Sequence, residues 1–534
     1  MLKAKNESAL YTANQLYTAQ QSRLVDKKTV ATGVAGFALM QKAALAAFDC
    51  IQLHWPQRPL HIFCGGGNNG GDGLVIATLA KKQGIAAHVY LLAEPGKLKN
   101  EAAQAYQLAQ QTAVELHIID QQRISDNDFS ARLSSGLIVD ALLGTGIQQR
   151  PRALIAKVIS IINASCLPVF AIDVPSGLNS DSGFAVAEVV KAQATLSFIT
   201  QKRGLFTADG PEFSGQRLFN DLDAPEVAYQ SIEGMTVNCL QLPGLLAAVP
   251  KRDKGAHKGS MGHVAIVGGD IGMAGAAILS STAAARMGAG LTTMASRQET
   301  IQALLMCQPE IMAKAMRTGR DVVDVLTKAT VVAIGPGLGQ SKWAQVLLAQ
   351  VAVCNLPQVW DADALNLLAQ QQRQLGQRKT DLLPQRVITP HPAEAARLLG
   401  LSTEEVQQDR FAAAQKLQQI YGGVVVLKGA GSLICWQDNG VQQLALCPYG
   451  NPAMATGGMG DVLTGVIAGL LAQQDLFNLT QPMAHWVCLA VCLHGAAADA
   501  LVEKEGERGL LASDLIGKIR QLLNQKVDSP SNRH

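Results

Sequence analysis

The 534-residue chain is 48% hydrophobic and 16% charged with a net charge of +3, so it is too long for one core and divides by expectation into two globular domains of roughly 200 to 300 residues. No basic tract is long enough for a nucleic-acid patch, and the ten cysteines form no C-x-x-C pair, which excludes the usual zinc and redox-dithiol patterns and fits core thiols in a reducing, cytoplasmic compartment. The N-terminus, MLKAKNESALYTANQLYTAQQ, lacks an apolar h-region and apolar runs such as VCLAVCL at 487–493 are far shorter than a membrane span, so no membrane partner is expected.

In chain order, LHIFC (60–64), AAHVYLL (86–92), GLIVDALL (136–143) and PVFAIDV (168–174) read as strands. Between them, GDGLVIATLAKKQG and ALIAKVISIINAS carry apolar residues at three- and four-residue spacing. Strand alternating with helix predicts a parallel sheet with crossover helices and ligands at the strand C-termini. Three loops follow such strands: FCGGGNNGGDG, DALLGTGIQQRP from Asp140, and DVPSGLNSDSG from Asp173.

Gly65, Gly67 and Gly70 satisfy G-x-G-x-x-G, and a helix starting there turns free N–H groups towards an anion. Asp72 complicates a plain pyrophosphate site, because a carboxylate in the first helical turn competes for the same dipole; an N-cap role is the structural alternative. Asn69, Asp140 and Ser176, one from each loop, are oxygen donors suited to a hard cation. Ordinary loop hydrogen bonding is the alternative for them.

The pattern lapses around 221–250, which sets the domain boundary. A second series follows: HVAIVGG (263–269), LTTMAS (291–296), VVAIGPG (331–337), RVITP (386–390) and GVVVLKG (423–429). In NPAMATGGMGDVLTGVIAGLLA, Gly457, Gly458 and Gly460 precede an apolar helix. Bare amides there suit the charge on a transferring phosphoryl group, with Asp461 as base to the attacking hydroxyl. A capping aspartate is the alternative.

No G-x-x-x-x-G-K-[ST] is present, so a Walker mechanism is not supported. KGAGS (Lys428 to Ser432) offers a turn and a cation, or is the turn of a hairpin VVVLKGAGSLICW. His391 in TPHPAE is a site histidine or a packed loop residue, and KRDKGAHKGSMGH (251–263) reaches phosphates or is a solvated linker.

GGGNNGGDG, DALLGTG and DVPSG together resemble the N-terminal, epimerase half of the bifunctional NAD(P)H-hydrate repair enzymes, over nearly all of residues 1–225. GGDIGMAGAAILSSTAAARMGAG, GPGLG, TPHPAE, KGAGS and ATGGMGD resemble the dehydratase half of the same family, over about 240–525. The resemblance implies a Rossmann-like α/β/α epimerase domain (1–225), a linker (226–240), a ribokinase-like α/β dehydratase domain (241–525) and a polar tail (526–534). The substrates it implies are the hydrates NADHX and NADPHX.

In the first half it implies a potassium ion at Asn69, Asp140 and Ser176. The hydrated dinucleotide is then held by Asn68, Asn69, Gly70, Gly71 and Asp72, by Gly144, Thr145, Gly146, Ile147, Gln148, Gln149 and Arg150, and by Asp173, the expected acid-base residue. In the second half, Ala276, Gly335, Gly337, Gly339, His391 and Asp461 face the (6S)-hydrate. Lys428, Gly429, Ala430, Gly431, Ser432 and Gly460 face the nucleotide. ADP is the implied phosphoryl donor, leaving as AMP, with a magnesium ion whose ligands the sequence does not name; a homo-oligomer is expected.

Two rivals stand at this level. One is a ribokinase-like vitamin or sugar kinase with a regulatory nucleotide-binding N-terminal domain. The other is a non-catalytic nucleotide sensor or scaffold.

Overall fold

The computed structural model describes residues 14–120, 132–146, 150–230, 232–375, 385–473 and 482–525. The chain separates into two compact units, Met1–Val237 and Asn238–His534. The expected polar tail lies outside the described residues.

The central sheet of the first unit runs β4(Glu115–Ile118), β3(Ala87–Leu91), β2(Leu60–Cys64), β5(Leu137–Ala141), β6(Val169–Ile172), β7(Ala194–Phe198), β9(Gln216–Asn220). Every neighbouring pair is parallel. The strands LHIFC and LIVDA are buried at every position, as expected of a parallel sheet with both faces covered. From β2 the chain builds outward to β3 and β4, then restarts at β5 and builds the other way. That reversal makes a crevice beyond the C-terminal ends of β2 and β5, the place where such sheets bind ligands. Cys64 pairs with Ala141 there, so the loops after both strands emerge side by side. A separate pair, β1(Gln15–Tyr17) with β8(Gln201–Lys202), is also parallel.

The second unit repeats the logic with different strands. Its sheet runs β13(Met312–Ala315), β12(Leu291–Ser296), β11(His263–Val267), β14(Val331–Ile334), β15(Gln358–Trp360), β16(Arg386–Ile388), β17(Val424–Leu427), β18(Ser432–Asp438), β19(Val441–Cys447), with β10(Val237–Cys239) beside β19. Only the β17–β18 and β18–β19 pairs are antiparallel among those in this unit. The order reverses between β11 and β14, where Val267 pairs with Ile334.

Eight helices matter below: α1(Ala19–Ala31), α2(Asn68–Lys82), α3(Ala153–Ala164), α4(Ala274–Arg286), α5(Pro392–Leu399), α6(Arg410–Tyr421), α7(Met459–Leu471) and α8(Met483–Glu505). The expected helices at 71–84 and 153–165 correspond to α2 and α3. The run VCLAVCL understated α8, whose 23 residues are long and apolar enough by length and composition to cross a membrane. Its Trp486, Val487, Leu489 and Leu493 belong to the buried core of this unit, which accounts for the apolarity without lipid.

Candidate active sites

In the first unit, the crevice is a cleft of about 680 Å³ lined from loops and helices that are distant in sequence. Gly67 caps α2 in an extended conformation, and Asn68 and Asn69 open the helix. Asp72 therefore sits in the second turn, so the expectation of a first-turn or N-cap carboxylate is wrong. The GNNGG segment turns helical three residues sooner than the apolar pattern suggests, because the first turn faces the cleft and needs no apolar residue. Gly70 and Gly71 are buried. A side chain on Gly70 would collide with the Gly65 carbonyl oxygen, and one on Gly71 would come within 2.5 Å of the Met40 side chain. Both glycines let the loop and helix pack, whereas Asn68, Asn69 and Asp72 line the cleft.

Asp173 follows β6 with φ of +67°, a left-handed backbone that is uncommon outside glycine and clusters at functional sites. It forms an ion pair with Lys202, whose side chain is only 4% exposed. Lys202 also donates to the Phe198 carbonyl at 3.0 Å. Asp26 on α1 and Asp72 on α2 line the same cleft. Burial pushes the Asp26 carboxyl up to about 6, with Lys202 pulling it down and Asp173 pushing it up. Burial, then Asp173 and Asp26, raise Asp72 well above the usual range. The result is three carboxyl groups around one buried ammonium, a set able to carry a proton at neutral pH.

The proposed ion donors converge beside this cleft. Asp140 is fully buried and accepts hydrogen bonds from the Ser176 hydroxyl at 2.6 Å, the Ser176 N–H at 2.7 Å and the Leu142 N–H at 3.2 Å. Burial raises its carboxyl to about 6 against those bonds. The Leu143 N–H donates to Ser176 Oγ at 2.9 Å, and Asn69 Nδ2 donates to the Leu143 carbonyl at 2.9 Å. Three residues from three loops thus meet around Leu142–Leu143. The donor set is all oxygen with one carboxylate, which fits a hard monovalent cation.

Gly144, Thr145 and Gly146 also line the cleft. Arg150 is exposed and lines an adjoining groove of about 920 Å³ that shares Gly66, Leu142, Leu143 and Gly146 with it. Ile147, Gln148 and Gln149 lie outside the described residues.

The second site gathers around Asp361, which follows β15 and is almost fully buried. Lys428 Nζ donates to Asp361 Oδ1 at 2.7 Å, as does Thr389 at 2.8 Å, and Thr464 donates to Oδ2 at 2.9 Å. Burial would raise this carboxyl, but Lys428 and the two threonines outweigh it and hold the group below the ordinary range. Gly458 caps α7 in a left-handed conformation, so Asp461 stands in the first turn. Burial and the negative charge of Asp361 push its carboxyl up to about 6, with Lys428 opposing. A side chain at Gly460 would come within 3.3 Å of both Asp361 Oδ2 and Lys428 Nζ. The bare helix start therefore lies directly against the Lys428–Asp361 pair.

His391 and Glu394 complete a pocket of about 390 Å³ with Lys428, Gly429, Gly460 and Asp461. His391 is not a packed loop residue. It caps α5, its Nδ1 accepting from the N–H groups of Ala393 at 3.1 Å and Glu394 at 3.4 Å, which leaves Nε2 as the protonated nitrogen of the neutral ring. Burial raises Glu394 to about 7. KGAGS is indeed the turn of the β17–β18 hairpin, and it is also at the site. Arg410 of α6, buried, donates to the carbonyls of Leu427, Lys428 and Gly431 at 3.2–3.4 Å and so shapes that turn.

The Gly335–Gly339 loop adjoins the same centre. A side chain at Gly335 would collide with the Asp361 carbonyl, and one at Gly337 would come within 3.2 Å of the Ala276 methyl. Ser280 bonds the carbonyls of both Ala276, at 3.1 Å, and Asp461, at 2.7 Å. The basic stretch 251–263 behaves otherwise. Arg252 binds the Gly288 carbonyl and Gln473, at the C-terminal end of α4 and roughly 18 Å of helix from Ala276.

Asp26, Lys202, Asp361, Glu394 and Arg410 are the site residues the sequence reading missed. Asp361 left a signal, an acidic residue directly behind the short strand QVW, and Glu394 stood inside the TPHPAE motif beside His391.

A family model described as NAD(P)H-hydrate dehydratase matches residues 264–521, and one described as YjeF-related protein N-terminus matches residues 36–204. The bifunctional NAD(P)H-hydrate repair enzyme of Coxiella burnetii is 42% identical over 511 residues, covering 95% of this chain and 99% of that protein. The chain belongs to the bifunctional NAD(P)H-hydrate repair enzyme family. The Escherichia coli member is 40% identical over 497 residues, covering 93% of this chain and 91% of its own. A solved ADP/ATP-dependent NAD(P)H-hydrate dehydratase from Bacillus subtilis, co-crystallised with ATP and Mg²⁺, is 29% identical, with a TM-score of 0.47 over 54% of this chain and 98% of its own. As a family member the chain is a metabolite-repair enzyme with an epimerase and a dehydratase domain. The full-length relatives favour this over the vitamin or sugar kinase and the non-catalytic sensor.

Proposed function

We propose that the Asp173 cleft inverts C6 of the hydrated nicotinamide ring and that the Asp461 pocket dehydrates the (6S) epimer. One observation carries this reading: each unit sets a carboxylate directly behind a parallel strand, Asp173 after β6 and Asp361 after β15, in an ion pair with a lysine and close to a bare helix start. In the first unit, Asp173 is the acid-base residue of the inversion at C6, and Lys202 holds its carboxylate in place through their ion pair. The cleft and the adjoining groove together match an elongated dinucleotide, with Asn68, Asn69, Asp72 and Gly144 to Gly146 along one and Arg150 along the other. Ile147, Gln148 and Gln149 belong to the same expected binding loop. Asn69, Asp140 and Ser176 would hold a potassium ion, which would fix the three loops against one another.

In the second unit, Asp461 takes the proton of the C6 hydroxyl as its oxygen bonds to the terminal phosphorus of ADP. AMP leaves, and loss of phosphate from C6 together with a proton from C5 to solvent then restores the ring double bond of NADH or NADPH. A phosphate ester departs far more readily than hydroxide, which is the chemical reason for the nucleotide. The amides at Gly460 and the Lys428 ammonium face the phosphoryl charge, with Gly429, Ala430, Gly431 and Ser432 forming the nucleotide side of the pocket. Ala276, Gly335, Gly337, Gly339 and His391 form the hydrate side. Glu394 is an oxygen donor fitted to a magnesium ion, since Asp461 serves as the base and Asp361 already accepts three hydrogen bonds; such an ion would neutralise the nucleotide phosphates.

A cytoplasmic site of action suits ten free cysteines and a substrate that arises wherever reduced nicotinamide is used. The test is to supply mixed R and S hydrate with ADP or ATP and follow recovery of reduced-cofactor absorbance together with the adenine products. Release of AMP from ADP in step with NADH supports the scheme. A stable phosphorylated product would overturn it.

A further inference from the structure

We propose that His88, Glu115 and His117 form a divalent transition-metal site of the zinc class, clipping the edge strand β4 to β3. The parallel register sets His88 opposite Glu115 and Tyr90 opposite His117. Glu115 and His117 are two residues apart on one strand, so their side chains leave the same face. Both imidazoles aim a ring nitrogen at the one carboxylate: His88 Nδ1 lies 2.9 Å from Oε2, and His117 Nε2 lies 2.8 Å from Oε1. All three ligand atoms fall within 4.8 Å of one another, and no other group of His, Cys, Asp or Glu among the described residues does so. A tetrahedral ion with bonds near 2.0–2.1 Å needs ligand atoms about 3.3 Å apart, inside the 4.8 Å span these three atoms already keep.

The rings are already oriented. His61 stacks on His88 at 5.5 Å, and Tyr90 stacks on His117 at 5.4 Å. His61 itself is committed elsewhere, with Nε2 at 2.9 Å from the Ser135 carbonyl and Nδ1 at 3.3 Å from the Tyr90 hydroxyl. The protein thus supplies two imidazoles and one carboxylate, leaving water to complete the shell, a set that zinc, cobalt and nickel accept. Side-chain exposures of 33%, 54% and 26% for His88, Glu115 and His117 open the site to ions from solvent. Arg132 lies 3.5 Å from His117 Nε2 and must swing aside. Among the described residues strand β4 has a single partner, β3, and an edge strand so placed gains most from a cross-strand clip. None of the three residues lines the Asp173 cleft.

The experiment is a Zn²⁺ titration against a chromophoric chelator, using the full chain freed of metal, beside H88Q/H117Q and E115Q. Wild type is expected to bind one more equivalent than H88Q/H117Q, and E115Q to bind that equivalent at least tenfold more weakly. Co²⁺ in place of Zn²⁺ should give visible bands of a nitrogen-ligated ion in wild type that are missing from the double variant. Retained epimerisation by H88Q/H117Q, whose changes lie in the first unit but outside the Asp173 cleft, reports that this unit is folded. Should that variant fail to fold, H117Q alone is read by the Co²⁺ spectrum. Equal stoichiometry in wild type and the double variant, or a Co²⁺ spectrum that H117Q leaves unchanged, would overturn the site.

Discussion

In the proposed scheme, two single charges decide the chemistry of the two sites. Asp461 must be ionised to accept a proton, and burial beside Asp361 puts its carboxyl at about 6. A base with a raised value is lost as the pH falls through that value, so dehydration should be at full rate above pH 7 and decline through about pH 6. Asp461→Asn should lower dehydration by at least roughly 10²-fold and leave R-to-S conversion untouched; a pH profile of the wild type and single-turnover rates of the variant check both statements. Lys202 is the buried cation among Asp26, Asp72 and Asp173, and it lowers the carboxyls of the first two. Lys202→Gln should therefore let Asp26 and Asp72 keep their protons to higher pH, slow epimerisation and move its optimum to the alkaline side. An unchanged epimerase pH profile in this variant would show that the lysine is structural only.

At the scale of elements, the glycines of the β2–α2 connection divide into two kinds. Gly67 has open space where a side chain would go, whereas a methyl on Gly70 meets the Gly65 carbonyl. Gly70→Ala should cost about 1–3 kcal/mol of stability as an overpacked site, and Gly67→Ala about 0.5–1 kcal/mol, the preference of an N-cap for glycine over alanine; urea unfolding midpoints compare the two. On the β17–β18 turn, Arg410→Gln removes donors to three carbonyls, at a cost of roughly 2–3 kcal/mol, and should raise the KM for ADP more than it changes kcat. These elements also show what a sequence discloses. The strands LHIFC, LIVDA, HVAIV and VVVL were legible because a doubly covered strand is apolar at every position, and the glycine loops because only bare backbone makes those turns. Asp72 was misplaced because a helix start facing a cleft carries no apolar period. Lys202 and Asp26 were invisible because they reach the cleft from a two-residue strand and from the side of a helix. Arg410 looked like any helix-surface arginine until its burial under a hairpin was seen.

At the scale of the whole molecule, each unit has its own sheet, its own core and its own carboxylate–lysine site. If each site does one step, damage to one half should leave the other half's chemistry intact, and the two losses should differ in kind. With mixed R and S hydrate and ADP, Asp173→Asn should recover reduced cofactor from the S portion at the wild-type rate and then slow to the rate at which the epimers interconvert without protein. Asp461→Asn should recover almost none, yet it should bring an R-enriched sample to the same R:S ratio as wild type. Because the epimer passed between the steps is a stable molecule, the two variants mixed should together restore complete recovery, each supplying the step the other lacks. The measurements are absorbance of the reduced cofactor over time and chromatographic separation of the epimers. Full recovery by Asp173→Asn alone, at the wild-type rate, would remove the epimerase role from the first unit. Failure of the mixture, with each variant active in its own step, would show that the intermediate is not released between sites.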